Sequence, residues 1–435
     1  MTQKPKLLLI QPGSDADRLG SRRRRKSSIP KLNLPLLAAY AGDRFEVSIT
    51  DESVEDLDLQ ASADLIGITV LTQLSRRAYE LADAFRRKGS RVVLGGFHVF
   101  FYPDEASEHA DALVIGEADG VWEQLLEDFL QGTLQARYQG SAPHDLVGLP
   151  HPRLDLLNQK AYSFTNVIET ARGCPNRCSY CAVTLYWGYR ARYRPIGEVI
   201  DEIQRMPPGE IIFIDDNIVG SPDRAKELFR AMIPFRRRWS GQADMKIARD
   251  PELLELAARS GCNWLFIGIE SLNTDNLREV SKAKVNVASQ YVASIRAVQA
   301  AGIKVFGSFI FGLDHDDQSV FDHTIDFCED NRLKGANFYI FTPLPFTVLF
   351  DKMHQEGRIL HTDWSKYDMN HVVFLPKKMS PGELLEGYLR AYRRFYSVRS
   401  IARRMLPPFL HPLQVVALNA GRLMNYRHFE EACRR

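Results

Sequence analysis

The stretch Cys174-Pro-Asn-Arg-Cys178-Ser-Tyr-Cys181 follows directly on an apolar, strand-like run at residues 166–170, and its reading decides the architecture of the middle of the chain. A loop at the carboxyl end of a parallel strand is where α/β barrels carry their sites. Three closely spaced thiolates can ligate three irons of a 4Fe-4S cluster, whereas a closed cluster or a structural zinc requires a fourth ligand. No further cysteine and no histidine lies between Phe164 and Arg205. A distant residue completing a zinc site, or three merely buried cysteines, are the competing readings. The remaining cysteines, Cys262, Cys328 and Cys433, are scattered and form no disulfide framework of the secreted kind.

Downstream of the motif, strand-like segments recur at 210–214, 244–248, 264–269, 304–311 and 337–341, with helical spacing between them. Together with 166–170 they make six strand–helix units, the pattern of a partial (β/α)6 barrel over residues 161–344. Upstream, strand-like runs at 6–12, 45–50, 65–70, 92–94 and 112–115 alternate with helical stretches at 76–88 and 121–130. That alternation predicts an α/β, doubly wound parallel sheet over residues 1–140, with ligands at the strand carboxyl ends. A Pro- and Gly-containing stretch, 140–152, overlaps a linker assigned to 141–160. From about Pro345 the alternation stops, and a helical, basic region runs over 345–435.

Composition bounds these assignments. With 435 residues and 45% hydrophobic content, the chain can bury a large core. Its 56 basic and 54 acidic side chains leave a formal charge of +2, so no global field argues for nucleic acid. The opening apolar run is too short for a signal peptide, and nothing approaches the roughly 20 apolar residues of a membrane span. A cytoplasmic, reducing location is the expectation.

The C-x3-C-x2-C spacing with Tyr180 before the last cysteine resembles the defining motif of the radical S-adenosylmethionine (SAM) superfamily. The resemblance implies a 4Fe-4S cluster on Cys174, Cys178 and Cys181, whose open iron chelates the amino and carboxylate groups of SAM. One electron, supplied by a flavodoxin- or ferredoxin-type donor, then yields a 5′-deoxyadenosyl radical that abstracts hydrogen from unactivated carbon. Residues ending later strands are similar in order and spacing. Asp215, Asp216 and Asn217 end the second strand, Glu270 ends the fourth, and Gly312 ends the fifth. With Tyr180 these are the expected SAM contacts.

Val92-Val-Leu-Gly95-Gly96-Phe-His98 and the later Gly116-Glu117 resemble the cobalamin-binding domains fused to one class of radical SAM enzymes. Glycine pairs let backbone approach a flat macrocycle, and Thr69 and Thr72 supply hydroxyls to the same rim. The loop after the first strand, residues 12–20, contains no histidine for cobalt, and His98 is expected to bond backbone or the corrin periphery. All cysteines lie at or beyond Cys174, which argues against the methylthiotransferases, whose second cluster uses N-terminal cysteines.

Thr342-Pro-Leu-Pro-Phe-Thr347 with Glu356-Gly-Arg358 resembles the tail of a subgroup that includes hopanoid methylases, although Phe346 stands where relatives usually carry glycine. The alternating basic and apolar segment 392–405 either lies on an anionic membrane or packs on the barrel. An apolar stretch follows at 406–418, and Arg22–Lys26 reads as a solvated loop. The reading that joins these features is a cobalamin-dependent radical SAM enzyme methylating an unactivated carbon of a small-molecule or lipid-like substrate through methylcobalamin. Its alternatives are a radical cyclase, oxidase or carbon–carbon bond-forming enzyme on a tetrapyrrole, lipid or natural product, with or without cobalamin. A non-enzymatic metal or corrin sensor is a third.

Overall fold

The computed structural model describes residues 4–15, 17, 27, 29–140, 146–405, 413–424 and 426–434. The Arg22–Lys26 run and the start of the apolar stretch, 406–412, lie outside them. The chain groups into two units, Met1–Glu169 with Arg192–Pro207, and Thr170–Ala191 with Pro208–Arg435.

In the first unit, β1 (Lys6–Gln11), β2 (Glu46–Asp51), β3 (Leu65–Thr69), β4 (Arg91–Gly95), β5 (Ala112–Ile115) and β6 (Arg137–Gln139) form one sheet in the order β2-β1-β3-β4-β5-β6. Every pairing is parallel, with Leu7 facing Val47 on one side and Leu65 on the other. Successive strand residues point to opposite faces. Leu7 and Leu9 therefore join one core with Trp122, and Leu8 and Ile10 join the other with Phe85. A sheet covered on both faces demands strands that are apolar throughout, which is what β1 and β3 are. The order reverses between β1 and β3, and that switch point is where doubly wound sheets open a crevice. The short β6 and the helix Asn33–Ala41 were not among the expected elements.

After the two-residue strands β7 (Val167–Ile168), β8 (Ala171–Arg172) and β9 (Arg192–Tyr193), the chain builds β10 (Ile211–Phe213), β11 (Trp239–Ala243), β12 (Cys262–Glu270), β13 (Lys304–Phe311) and β14 (Gly335–Ile340). In the second unit each of β10 to β14 pairs in parallel with the next, so strand order equals chain order. Helices Pro222–Met232, Pro251–Arg259, Tyr291–Ala300 and Val320–Asp330 lie between successive strands in the chain. Winding in one direction without reversal is barrel construction, and it brings all strand carboxyl ends to one rim.

One expected strand is displaced. Residues 244–248 are not a strand: the strand is Trp239–Ala243, and Met245–Arg249 is a 3₁₀ turn. Asp244 stops the strand by accepting from Lys246 N at 2.9 Å, a local capping bond that competes with the sheet ladder. The sequence Trp-Ser-Gly-Gln-Ala hides its strand character because Ser240 and Gly241 dilute the apolar signal.

The C-terminal helices are Pro381–Phe395, opened by a capping box between Ser380 and Glu383, then Val398–Met405, Leu413–Met424 and Tyr426–Arg434. Several of their arginines pair with the rest of the unit. Arg394 pairs with Asp322 at 2.7 Å and with Asp326, while Arg403 pairs with Glu329 at 3.1 Å and Asp330 at 2.7 Å. Arg404 is fully buried and donates to the carbonyls of Leu333 and Phe395. These ion pairs fit packing on the barrel helix Val320–Asp330 rather than on a membrane. Among the described residues no helix is long and apolar enough to cross a membrane.

Trp239 shows how the half barrel is closed. It has no exposed surface, stacks on Phe229 at 4.9 Å, meets Phe213 edge-on at 5.4 Å, and donates its indole N–H to Ser260 Oγ at 3.0 Å. Trp239→Ala is expected to destabilise the unit by about 3–5 kcal/mol, and Trp239→Phe by about 1 kcal/mol, in denaturant unfolding. Equal midpoints for wild type and Trp239→Ala would contradict this packing.

Candidate active site

The cysteine loop starts at the second unit's first residues and is held by three consecutive side chains just beyond β10. Asp215, almost fully buried, accepts from Thr170 N at 2.6 Å, Thr170 Oγ1 at 2.5 Å and Ala171 N at 3.1 Å. Asp216 Oδ2 accepts from Gly173 N at 3.2 Å, and Asn217 Nδ2 approaches Cys174 Sγ at 3.9 Å. Burial pushes the Asp215 carboxyl up to about 6, against the hydrogen bonds that pull it down. Both its oxygens are engaged with the loop, so its role in the structure is to fix where the loop begins.

The loop's far side is tied to other strand ends. Asn176 Nδ2 and Asn217 Nδ2 both donate to Asp244 Oδ2 at 2.9 Å, and Lys246 Nζ donates to Asn176 Oδ1 at 3.0 Å. Ser179 N donates to Val280 O at 3.2 Å, and Leu349 N donates to Ser179 O at 3.3 Å. Arg177 takes a positive φ of 50° between the first two cysteines, and Gly173 takes 88°, where a Cβ would meet Arg190 O at 2.9 Å. The glycine is thus a steric requirement of the turn into Cys174.

All three cysteines are partly exposed, while Cys262, Cys328 and Cys433 are buried. Burial raises the thiols of Cys174 and Cys178 and pushes Cys181 up to about 12, so deprotonation there calls for a nearby cation. The irons of a bound cluster would supply that charge. Among the described residues no group of His, Cys, Asp and Glu is drawn tightly enough to enclose one metal ion. A cluster that takes one thiolate per iron spreads its ligands wider than a single ion does, and the donor set suits it.

Glu270 ends β12 at a register shift, with φ of 65°. Its Oε1 accepts from Lys282 Nζ at 2.7 Å and from Tyr180 OH at 3.1 Å. Gly268 makes room for this fold-back, since a Cβ there would lie 2.3 Å from Glu270 Oε1. Against burial, which lowers it, Glu270 and Cys178 hold the Lys282 ammonium above its ordinary range. Asn217 is also buried, and its Oδ1 has no hydrogen-bond partner. An orphaned acceptor of that kind is costly unless something donates to it, and the ammonium of an amino acid would. These features fit SAM at the strand ends. Gly312, with φ of 94°, is shaped by packing: a Cβ would lie 2.7 Å from Leu384 and 3.1 Å from Phe374. Its N–H donates to Asp316 Oδ2 at 3.0 Å.

Lys282, Asp244 and Asn176 were not foreseen. Lys282 sits in Ser-Lys-Ala-Lys, which reads as solvated charge, and Asp244 reads as part of a strand. Only the fold brings them to Glu270 and Asn217.

In the first unit, Thr69, Gly95, Gly96 and Gly116 are half-exposed at the ends of β3, β4 and β5, where the three glycines put no side chain in a ligand's way. Gly96 has φ of 108°, and a Cβ there would lie 3.0 Å from Val70 O, so a larger residue would be strained. Thr69 Oγ1 accepts from Asn33 Nδ2 at 3.1 Å, and Thr72 is buried at the turn that follows. His98 differs from expectation: it has no exposed surface, its Nε2 is paired with Glu105 at 3.1 Å, and burial lowers its pKa. It offers no face to a ligand and acts by packing. Glu117 is likewise buried and held by Arg192, whose Nη1 donates at 3.0 Å.

An open βα barrel with three thiolates on its first strand-end loop, joined to a doubly wound sheet with a glycine-lined rim, defines a radical SAM enzyme with a second, flat cofactor. Family models match accordingly: the radical SAM superfamily over residues 168–328, a B12 binding domain over 22–126, and a domain of unknown function (DUF4070) over 347–416. The bacteriochlorophyllide d C-12(1)-methyltransferase of Chlorobaculum tepidum is 34% identical over 92% of this chain and 90% of its own length. The bacteriochlorophyllide d C-8(2)-methyltransferase of the same organism is 28% identical over 86% and 87%. The structure of the methyltransferase TsrM from Kitasatospora setae, with tryptophan and a SAM analogue bound, aligns with a TM-score of 0.64 at 19% identity, covering 81% of this chain and 76% of that one. This chain belongs to the cobalamin-dependent radical SAM methyltransferase family, with a 4Fe-4S cluster, SAM and cobalamin as its cofactors.

Reconstituted Cys174→Ala, Cys178→Ala and Cys181→Ala are each expected to lose the cluster's visible absorbance and all 5′-deoxyadenosine formation. Cys262→Ala, Cys328→Ala and Cys433→Ala should keep both. A full cluster in any of the first three would contradict the ligand assignment.

Proposed function

We propose that the protein transfers a methyl group to a carbon of a bacteriochlorophyllide-like tetrapyrrole. The observation that carries this reading is the concave face of the half barrel. Along β12 and β13, Leu265, Ile267, Val305 and Phe309 are buried toward the helices, and Trp264, Phe266, Phe306 and Ile310 alternate with them and remain half-exposed. On β14, Tyr339 does the same. A wall of partly exposed aromatic rings suits a flat, polarisable macrocycle and excludes water from a reactive radical. Phe346 and Val348, both exposed, extend this apolar character beside Ser179 of the cysteine loop. The 34% identity to a methyltransferase named for such a substrate supports the same choice.

When bound, the cluster and SAM supply a hydrogen-abstracting radical, and cobalamin supplies the methyl group. The chain's own residues hold these groups. Asn217 Oδ1 is assigned to the SAM ammonium, and Glu270, fixed by Lys282 and Tyr180, to the SAM ribose or methionyl end. Asp215 and Asp216 act one step back, by fixing the loop that carries the thiolates. Gly312 lets the chain turn beneath Leu384 and Phe374. Thr69, Gly95, Gly96 and Gly116 are assigned to the corrin edge, with His98 and Glu117 supporting them from within the packed interior.

Incubation of the reduced, cobalamin-loaded enzyme with bacteriochlorophyllide d and methyl-labelled SAM is expected to give a product heavier by one labelled methyl. Turnover to 5′-deoxyadenosine with a label-free, altered tetrapyrrole would instead support ring closure or oxidation.

A further inference from the structure

Arg422, from the helix Leu413–Met424, reaches the edge strand β14 on its concave side. There Asn337 and Tyr339 alternate with Ala336, Phe338 and Ile340, which are buried against the helices. Arg422 Nη2 donates to Asn337 Oδ1 at 3.0 Å, and Nη1 donates to Tyr392 OH at 3.0 Å. Its guanidinium also lies over the rings of Tyr396 at 5.6 Å and Tyr392 at 6.0 Å. Among the described residues no carboxylate pairs with it, in contrast to Arg394 and Arg403 on the neighbouring helices. A guanidinium carries five N–H donors in a planar fork, and the neutral acceptors here take only part of that capacity. The residue is only partly exposed, and its guanidinium keeps N–H donors beyond these two bonds.

The position connects with the radical site. Asn337 stands in register with Ser308 on β13, whose Oγ donates to Glu270 Oε2 at 3.4 Å. Arg422 therefore stands across the aromatic wall from the strand end assigned to SAM. A partly desolvated cation beside a face built for a flat apolar ligand selects a ligand with one anionic arm, because a planar bidentate pair fixes orientation as well as charge.

We infer that Arg422 is the anchor for a carboxylate side arm of the substrate and sets which edge of the macrocycle faces the radical. This rests on the tetrapyrrole reading above and deepens it, since a chlorophyllide is the free carboxylic acid of its chlorin. Asn337 and Tyr392 hold the guanidinium in plane, and the aromatic wall takes the ring.

The test is a binding titration that needs no turnover. Bacteriochlorophyllide d and its carboxyl methyl ester are titrated against the reconstituted holoenzyme by fluorescence, using wild type, Arg422→Gln and Arg422→Lys, with thermal melting of each. Wild type is expected to bind the free acid about 10- to 100-fold more tightly than the ester. Arg422→Gln should bring the two together by weakening only the acid, and Arg422→Lys should restore part of the preference. Equal wild-type affinities for acid and ester, or a preference that survives in a folded Arg422→Gln, would overturn the anchor while leaving the tetrapyrrole reading intact. If Arg422→Gln does not fold, the wild-type comparison of acid with ester decides. Failure of wild type to bind either form overturns the tetrapyrrole reading and the anchor with it.

Discussion

The cysteine loop depends on one buried carboxylate. Asp215 binds the backbone of Thr170 and Ala171 and the hydroxyl of Thr170, and with Asp216 and Asn217 it forms a run of three residues that hold three successive points of the loop. A loop bearing three partly exposed thiols has no packed core of its own and would wander. Charge-assisted hydrogen bonds that a buried carboxylate accepts from backbone N–H groups are directional, and leaving those donors unmet inside the protein is costly. The staple therefore fixes the loop that carries the three thiols, and with it the positions from which they would hold a cluster.

Around that staple the charges are arranged in closed sets. Glu270, Lys282 and Tyr180 satisfy one another, and Asp244 gathers Asn176, Asn217 and the backbone of Lys246. A buried ion pair contributes little net stability, but it prevents either partner from moving, and positioning is what a radical site requires. Asp314 plays the same part further out, bound to Arg358 at 2.7 Å, to Lys377 at 2.6 Å and to Lys352 at 3.5 Å. It ties the segment that carries Phe346 to the rim of the barrel.

Much of this was legible in the sequence because buried parallel strands must be apolar throughout. β5 and β13 match their expected spans, and β1, β3 and β12 fall within a residue or two. β11 was displaced because Ser240 and Gly241 break its apolar run, while Asp244, which reads as a strand residue, is a cap. The cysteine motif was readable from its spacing, and the glycine positions at the strand ends from their resemblance to cobalamin-binding domains. His98 was not: next to a Gly-Gly turn it looks ligand-facing, and only the fold shows it sealed against Glu105 and Tyr102. Lys282 and Arg422 were hidden for the opposite reason, since a lysine in a loop or an arginine in a helix's last turn ordinarily belongs to solvent. Burial by distant segments gives them meaning, and periodicity cannot report that.

The central claim is that three thiolates, fixed by Asp215 to Asn217, leave one iron open to SAM. Mössbauer spectroscopy of the iron-57-reconstituted protein, recorded with and without SAM, tests it most directly. One iron of the four should change its signal on adding SAM while the other three do not. Four irons that are indifferent to SAM would contradict the account.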